Sequence, residues 1–175
     1  EPHLSLPPFP SQFKQLDISP FLSQAEHLVL GKQPELKESN KLFSLFETIH
    51  QENTETKFSY DFQPLSPNTI FPKKEENNIA LSVHWDKFIN AINEIPKSHC
   101  DNPSLWLDHF DTAMQCFTCN LPSPYSDDIS FYDFTKAVAA FVVALADQES
   151  NNAEPFLLIQ GDFFGIQDFI FSGGS

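Results

Sequence analysis

The sequence predicts an α+β chain that is mostly helical and that ends in a strand, a tight turn and one further helix. Apolar residues recur at helical spacing in several stretches before residue 148. One short continuous apolar run, at 156–159, is typical of a strand buried on both faces. Four of the five glycines lie in the last fifteen residues, so backbone freedom is concentrated where that strand would end.

Composition narrows the classes of function. The 175 residues include 24 acidic and 10 basic side chains, a net charge of −14, and every basic residue is lysine. This segment is therefore not expected to bind nucleic acid by itself, because phosphate binding needs clustered positive charge and favours arginine. The longest apolar run, 137–146, has ten residues, about half of a membrane span, so no membrane is expected. Three cysteines make no disulfide framework, which predicts a cytoplasmic location.

Helix caps and spacing predict the elements of the first half. Ser19 and Pro20 resemble an N-cap followed by proline at the first helical position, and Gly31 is a typical stop, so a helix is expected over 19–30. Pro34 predicts the start of a second helix that runs to about residue 50. The apolar stripe of that helix would be Leu42, Leu45, Phe46 and Ile49. Residues 51–79 are polar and broken by prolines, which predicts a linker with short strands near 58–62.

Three more helices are predicted in the second half. Two of them have apolar stripes at helical spacing. The first stripe, which ends before Pro96, consists of Trp85, Phe88, Ile89 and Ile92. The second consists of Trp106, Phe110, Ala113 and Phe117. Residues 121–125 are expected to form a loop. Ser130 with Asp133 three residues later predicts a capping box that opens a helix to about residue 147. That helix is apolar nearly all round, so we expect it to be central and buried.

Two clusters of ligand-type side chains each allow two interpretations. Cys116 and Cys119 form a CxxC that could bind zinc together with Cys100, His99 and His109, but its place in a helical stripe favours buried thiols. Asp127, Asp128 and Asp133 could form a cation site, but capping of the following helix accounts for them better. The isolated histidines are expected to be surface or packing residues; they are His3, His27, His50 and His84.

The last twenty residues hold the clearest candidate site. The predicted strand leads into Gly161 and Asp162, and Gly165 opens the next helix. A carboxylate at a strand end can hold Mg²⁺ against substrate phosphates, and a helix N-terminus offers N–H groups to an anion. The alternative is that Asp162 only caps the helix that follows.

Three stretches, in order along the chain, resemble the large signature subunit of type III CRISPR effector complexes of the Csm type. The first is Phe-Gln-Pro-Leu-Ser-Pro-Asn-Thr-Ile-Phe-Pro at 62–72. The second, at 128–133, is Asp-Ile-Ser-Phe-Tyr-Asp, similar to the family's Asp-Ile-Ser-Leu-Tyr-Asp. The third, at 161–171, is Gly-Asp-Phe-Phe-Gly-Ile-Gln-Asp-Phe-Ile-Phe, similar to the family's Gly-Asp-Ile-Ser-Gly-Ile-Gln-x-Phe-Ile-Phe.

The resemblance implies a fold, an activity and a set of partners. The family joins an HD nuclease domain, which cuts single-stranded DNA, to two ferredoxin-like cyclase palms, which make cyclic oligoadenylate from ATP once target RNA is bound. Residues 1–50 would end the HD-like domain, 51–100 would be a linker and connecting helix, and 101–175 would lead into the first palm. ATP with Mg²⁺ or Mn²⁺, guide RNA, target RNA and other effector subunits would be the partners. The implied nucleotide-binding residues are Asp162, Phe163, Phe164, Gly165, Ile166 and Gln167, with Asp162 also at the metal.

Departures from the family pattern set the alternatives. Phe163 and Phe164 replace the family's Ile-Ser, and the chain contains neither His-Asp nor Gly-Gly-Asp-Asp. Two-metal chemistry needs several carboxylates. We therefore expect the sequence to be part of a longer protein and to have no catalytic activity by itself. A second hypothesis is a non-catalytic scaffold that docks the HD domain, the palms and neighbouring subunits. A third is an unrelated nucleotidyl cyclase that needs no RNA.

Overall fold

The described part of the chain is α+β, with four helices of more than ten residues and two small antiparallel sheets. The computed structural model describes residues 17–31, 35–37, 41–46, 58–74, 80–96, 99, 101–146 and 159. The helices are α1 (Ser19–Leu30), α2 (Leu81–Asn93), α3 (Pro103–Thr118) and α4 (Phe131–Ala146). Strands β1 (Leu42–Phe43) and β2 (Ser59–Tyr60) form one sheet, and β3 (Pro122–Ser123) and β4 (Ser126–Ser130) form the other.

Helix α1 has the predicted length but not the predicted cap. Ile18 occupies the N-cap position and makes no side-chain cap, and Ser19 is the first helical residue. The Ser19 N–H instead donates to the Asp17 carboxylate at 3.0 Å, so the predicted Ser19 cap is wrong by one position. The stop is confirmed: Gly31 has φ 64°, in the left-handed region that favours glycine, and its N–H donates to the His27 carbonyl.

The second predicted helix is wrong at the start of its apolar stripe, at Leu42; Leu45 and Phe46 are helical as predicted, and Ile49 lies outside the described residues. Leu42 and Phe43 form β1, which pairs antiparallel with β2 and aligns Leu42 with Tyr60. The Ser44 N–H donates to the Phe58 carbonyl at 3.0 Å, so pairing with a distant segment supplies hydrogen bonds that a helix would make locally. β2 confirms the short strand predicted near 58–62, and its Ser59 also bridges to Lys73.

The predicted loop at 121–125 contains a strand and the turn of a hairpin. The Ser123 hydroxyl, 2% exposed, accepts hydrogen bonds from the N–H groups of Tyr125 and Ser126 and thereby closes the turn. A proline at position 122 is tolerated because β3 is a short edge strand. The hairpin was missed because the Ser123 side chain closes the turn, whereas the usual sequence signal for such a turn is a glycine.

Helix α4 begins at the predicted capping box. The Asp133 N–H donates to the Ser130 hydroxyl at 3.0 Å, and that hydroxyl donates to the Asp133 carboxylate at 2.7 Å. The prediction of a helix buried all round is wrong, because Val143 on the outer face is 68% exposed. The inner face packs on Ala25 of α1 and consists of Phe134, Val138, Val142 and Leu145.

Among the described residues, the core is divided into two hydrophobic clusters. The first lies between α1 and α4 and is largely aliphatic. The second lies between α2 and α3 and has Phe88, Ile92 and Trp106 at its centre, as the helical stripes predicted. Among the described residues, none of the helices combines the length and apolarity that a membrane span requires.

Candidate functional site

The predicted nucleotide site lies outside the described residues. This applies to Asp162, Phe163, Phe164, Gly165, Ile166 and Gln167, and to the whole stretch 161–171 that carries the strongest resemblance. The other two stretches, 62–72 and 128–133, are described, and each is hydrogen-bonded to residues near the C-terminal end of α3: Leu65 to Cys116, and Phe131 to Leu121. The geometry below therefore concerns that helix end.

Buried polar side chains gather where α3 ends. We call five of them the polar junction, and each is at most 7% exposed: Thr69, His84, Thr118, Asn120 and Ser123. A buried polar group costs free energy unless it is hydrogen-bonded, so their partners define what the junction does.

Asn120 attaches the 62–72 stretch to the end of α3. Its amide Nδ2 donates to the carbonyls of Gln63 and Thr69, both at 3.3 Å. One turn earlier, the Leu65 N–H donates to the Cys116 carbonyl at 2.8 Å, which satisfies one of the otherwise unpaired carbonyls in the last turn of α3. Three hydrogen bonds to backbone carbonyls thus fix this stretch against the helix end.

Thr69 holds the same stretch in a closed turn. Its hydroxyl donates to the Pro64 carbonyl at 2.7 Å and accepts from the Ser66 N–H at 2.8 Å. The Thr69 N–H donates back to the Ser66 carbonyl at 2.9 Å. The turn is therefore fixed by its own side chains as well as by Asn120.

His84 joins α2 to the same helix end. Its ring is 1% exposed, and Nε2 donates to the Phe117 carbonyl at 2.5 Å, which requires the tautomer protonated at Nε2. Burial lowers the pKa of His84, and the positive charge of Lys87 lowers it further. The backbone of Phe117 and of Phe62 acts in the opposite direction. Nδ1 still has no partner at hydrogen-bond distance. His84 is thus a packing histidine, one of the two roles predicted for it.

The CxxC has the character of half-buried thiols rather than of zinc ligands. Cys116 and Cys119 are free, and the Cys116 Sγ lies 3.9 Å from the Leu65 carbonyl. Burial raises the pKa of the Cys119 thiol to about 11, with Asp133 and Cys116 acting in the same direction. A thiol must ionise to bind zinc, so this environment disfavours it as a ligand. Cys100 lies outside the described residues.

The acidic residues around β4 have local partners. The Asp127 carboxylate lies 2.8 Å from the Lys37 ammonium. Asp128 accepts a hydrogen bond from the Ser126 hydroxyl, and Asp133 accepts one from Ser130. The capping interpretation therefore holds for Asp133, whereas Asp127 is paired with a lysine and Asp128 with a neighbouring serine. Within the described ranges, no group of three or more His, Cys, Asp or Glu side chains is arranged to hold a metal ion.

The side chains of the polar junction hold backbone segments in place, and most of the junction was missed from sequence. The turn signal Ser-Pro-Asn-Thr at 66–69 and the position of Asn120 just after α3 were the available clues. No protein-family model, no curated protein and no solved structure matches this chain.

Proposed function

We propose that this chain is a segment of the large subunit of a type III CRISPR effector complex, acting in cytoplasmic RNA-guided antiviral defence. In this proposal 101–175 leads into the first ferredoxin-like palm. Asp162 and the turn at 163–167 contact ATP and a divalent metal ion. The protein that contains the segment cuts single-stranded DNA and makes cyclic oligoadenylate when guide RNA has captured target RNA.

The observation that carries the proposal is the order and spacing of the sequence stretches at 128–133 and 161–171. The local structure of the first stretch is compatible with it. Asp128 lies on β4, and Ser130 and Asp133 cap α4. The stretch therefore contains the start of a helix that ends ten residues before the apolar run at 156–159.

A scaffold role is the second candidate, and the polar junction favours it. The junction ties the 62–72 stretch, α2 and the end of α3 together through bonds to backbone carbonyls. An acidic, arginine-free segment suits contacts with protein better than contacts with RNA. In this role the segment would dock the HD domain, the palms and neighbouring subunits without binding nucleotide.

Asp162→Asn in the full-length protein separates the two candidates. The substitution keeps the shape of the side chain but removes the charge that would hold Mg²⁺, so we expect Mg-ATP affinity to fall about tenfold or more. Asp168→Asn is the matched control, since position 168 is variable in the family pattern. Unchanged Mg-ATP binding in Asp162→Asn would make Asp162 structural and favour the scaffold.

Two further measurements test the family itself. Sequencing the encoding DNA on both sides of the segment should reveal His-Asp upstream and Gly-Gly-Asp-Asp downstream. Cyclic oligoadenylate should form only with guide and target RNA present. Formation of product from ATP without any RNA would instead indicate an unrelated nucleotidyl cyclase.

A further inference from the structure

We propose that the apolar run at 156–159 of this same chain packs on the outer face of α4. On that face Ala139, Ala140 and Val143 are three or four residues apart, so they lie on one side of the helix. All three are exposed, Val143 at 68%. The described part of the chain therefore leaves an apolar helix face without a cover. The packing does not require Asp162 to bind nucleotide, so its test is independent of the proposed function.

The composition of α4 calls for a contact on this face. Between residues 137 and 146 the helix carries only apolar side chains. A helix that is apolar on every side is buried on every side in a folded protein. The inner face already packs on Ala25 of α1, so the outer face is the one that still needs a neighbour. Alanine side chains at its centre allow the backbone of a strand to approach closely.

The next apolar segment along the chain is the run at 156–159, and it needs a cover as well. Ile159, the member of the run that the structure describes, is 80% exposed. Four residues of strand are about 13 Å long, and the part of α4 from Lys136 to Val143 is about 10 Å long, so the two surfaces match in extent. Packing the run on α4 would remove both apolar surfaces from water together, which is the main driving force for such contacts.

The connection between the two segments has the length and polarity that a reversal of the chain needs. Nine residues, 147–155, separate the end of α4 from the run, and seven of them are polar. Nine extended residues reach about 30 Å, which exceeds the roughly 24 Å length of α4. The run can therefore return to any level of the helix while the connection stays in water. A second copy of the chain fits the face less well, because a charge of −14 on each copy opposes association.

The reactivity of a thiol at position 143 tests whether the face is covered. In the folded full chain we expect Val143→Cys to react with a maleimide at least tenfold more slowly than Ser82→Cys does. Ser82 is the matched control, an exposed position in the first turn of α2. Mass spectrometry of the labelled peptides separates these sites from the native cysteines. Equal rates at the two positions would overturn the proposal.

A double-mutant cycle then tests whether the run is the cover. Val143→Asp is combined with Leu157→Lys and, separately, with Leu158→Lys, and the urea midpoint of each full-length variant is measured. Successive side chains of a strand point to opposite faces, so only one of the two lysines should face position 143. That combination should recover roughly half or more of the midpoint that the two single variants lose, and the other combination should be additive.

Additive losses in both combinations would overturn the proposal. Together with a protected Val143→Cys, they would assign the cover to another part of the protein or to a second copy. If circular dichroism shows that a charged variant is unfolded, Val143→Ala with Leu157→Ala or Leu158→Ala completes the cycle. The pair in contact should then lose less than the sum of its single losses, because the second truncation removes a contact that the first has already lost.

Discussion

The α1–α4 pair and the α2–α3 pair bury apolar surface in different ways. The buried core of the first pair is aliphatic except for Phe134, and other aromatic rings, among them Tyr125, pack only at its edge. The second has an aromatic core, in which Trp106 stacks on Phe110 at 5.2 Å and 11° between ring planes. Aromatic rings bury more area per residue, but histidine and tryptophan bring polar atoms into the core with them.

That difference shows in the unpaired polar atoms. Three buried nitrogens lack a hydrogen-bond partner within the described residues, and all belong to α2 or to the turn before α3: His84 Nδ1, Trp85 Nε1 and His99 Nδ1. None lies in the described α1–α4 pair, where burial and Glu26 raise the pKa of the Tyr125 hydroxyl and keep it in its neutral form. The aromatic pair thus gains more from packing and loses more to desolvation.

The largest expected effect concerns the aromatic core. Trp106 is 3% exposed, so Trp106→Ala should lower the free energy of unfolding by about 3–5 kcal/mol. Leu107→Ala is the control: Leu107 lies next along α3 but is 47% exposed, and its loss should change stability by about 0.5 kcal/mol or less. Urea unfolding measures both. A loss below about 1 kcal/mol for Trp106→Ala would contradict a core built on this ring.

The second effect concerns the polar junction. Asn120→Ala leaves the carbonyls of Gln63 and Thr69 without their donor, which should cost about 1–3 kcal/mol. Asn90→Ala, at an exposed position of α2, should be nearly neutral. Amide hydrogen exchange should show faster exchange at Leu65 and Thr69 in Asn120→Ala. Unchanged exchange at both amides would mean that Asn120 does not hold the 62–72 stretch.

The third effect is a pH dependence carried by the aromatic pair. Burial lowers the pKa of His84 in the folded chain, so below the ordinary pKa of about 6.5 the unfolded chain takes up the proton first. Stability should therefore fall as pH drops below about 6.5, with a contribution no steeper than about 1.4 kcal/mol per pH unit from one proton. Above that pH the ring is neutral in both states and contributes no slope.

His84→Gln tests this assignment because its amide Nε2 can still donate to the Phe117 carbonyl. The variant should lose stability less steeply between pH 7 and pH 5 than the wild type does. The control is His27→Gln, an exposed histidine of α1, which should keep the wild-type slope. Equal slopes in all three chains would show that the buried ring does not couple protonation to folding.

The fourth effect concerns the start of α4. Ser130→Ala removes the hydroxyl that accepts from the Asp133 N–H, and the loss of such a cap costs about 1 kcal/mol. Ser82→Ala, at an exposed position in the first turn of α2, is the matched control and should be close to neutral. If Ser130→Ala changed the free energy of unfolding as little as Ser82→Ala does, the capping box would not contribute to stability.

Local signals predicted more of this fold than of its junctions. Helical stripes and the capping box located α2, α3 and α4, because spacing and caps act over a few residues. β1 was missed because it pairs with β2, and residues 44–58 separate the two strands along the chain. The polar junction was missed for the same reason: Asn120 and Gln63 are 57 residues apart, and no local pattern encodes that contact. The nucleotide turn at 162–167 stays a prediction from resemblance.

The smallest effect is expected where the two pairs meet. On α4, the Lys136 ammonium lies 2.8 Å from the Asp111 carboxylate of α3, and both side chains are about half exposed. The hydrogen bonds that the Lys136 ammonium donates to Asp111, together with its interaction with Tyr132, raise the pKa of Lys136, so its charge persists through the neutral range. Water and salt screen an exposed pair, so Lys136→Met should leave the urea midpoint nearly unchanged at physiological salt. Lys87→Met, an exposed lysine of α2, serves as the control. A transition that splits into two steps only in Lys136→Met would show that this ion pair, rather than the packing around α3, makes the aliphatic and aromatic pairs unfold together.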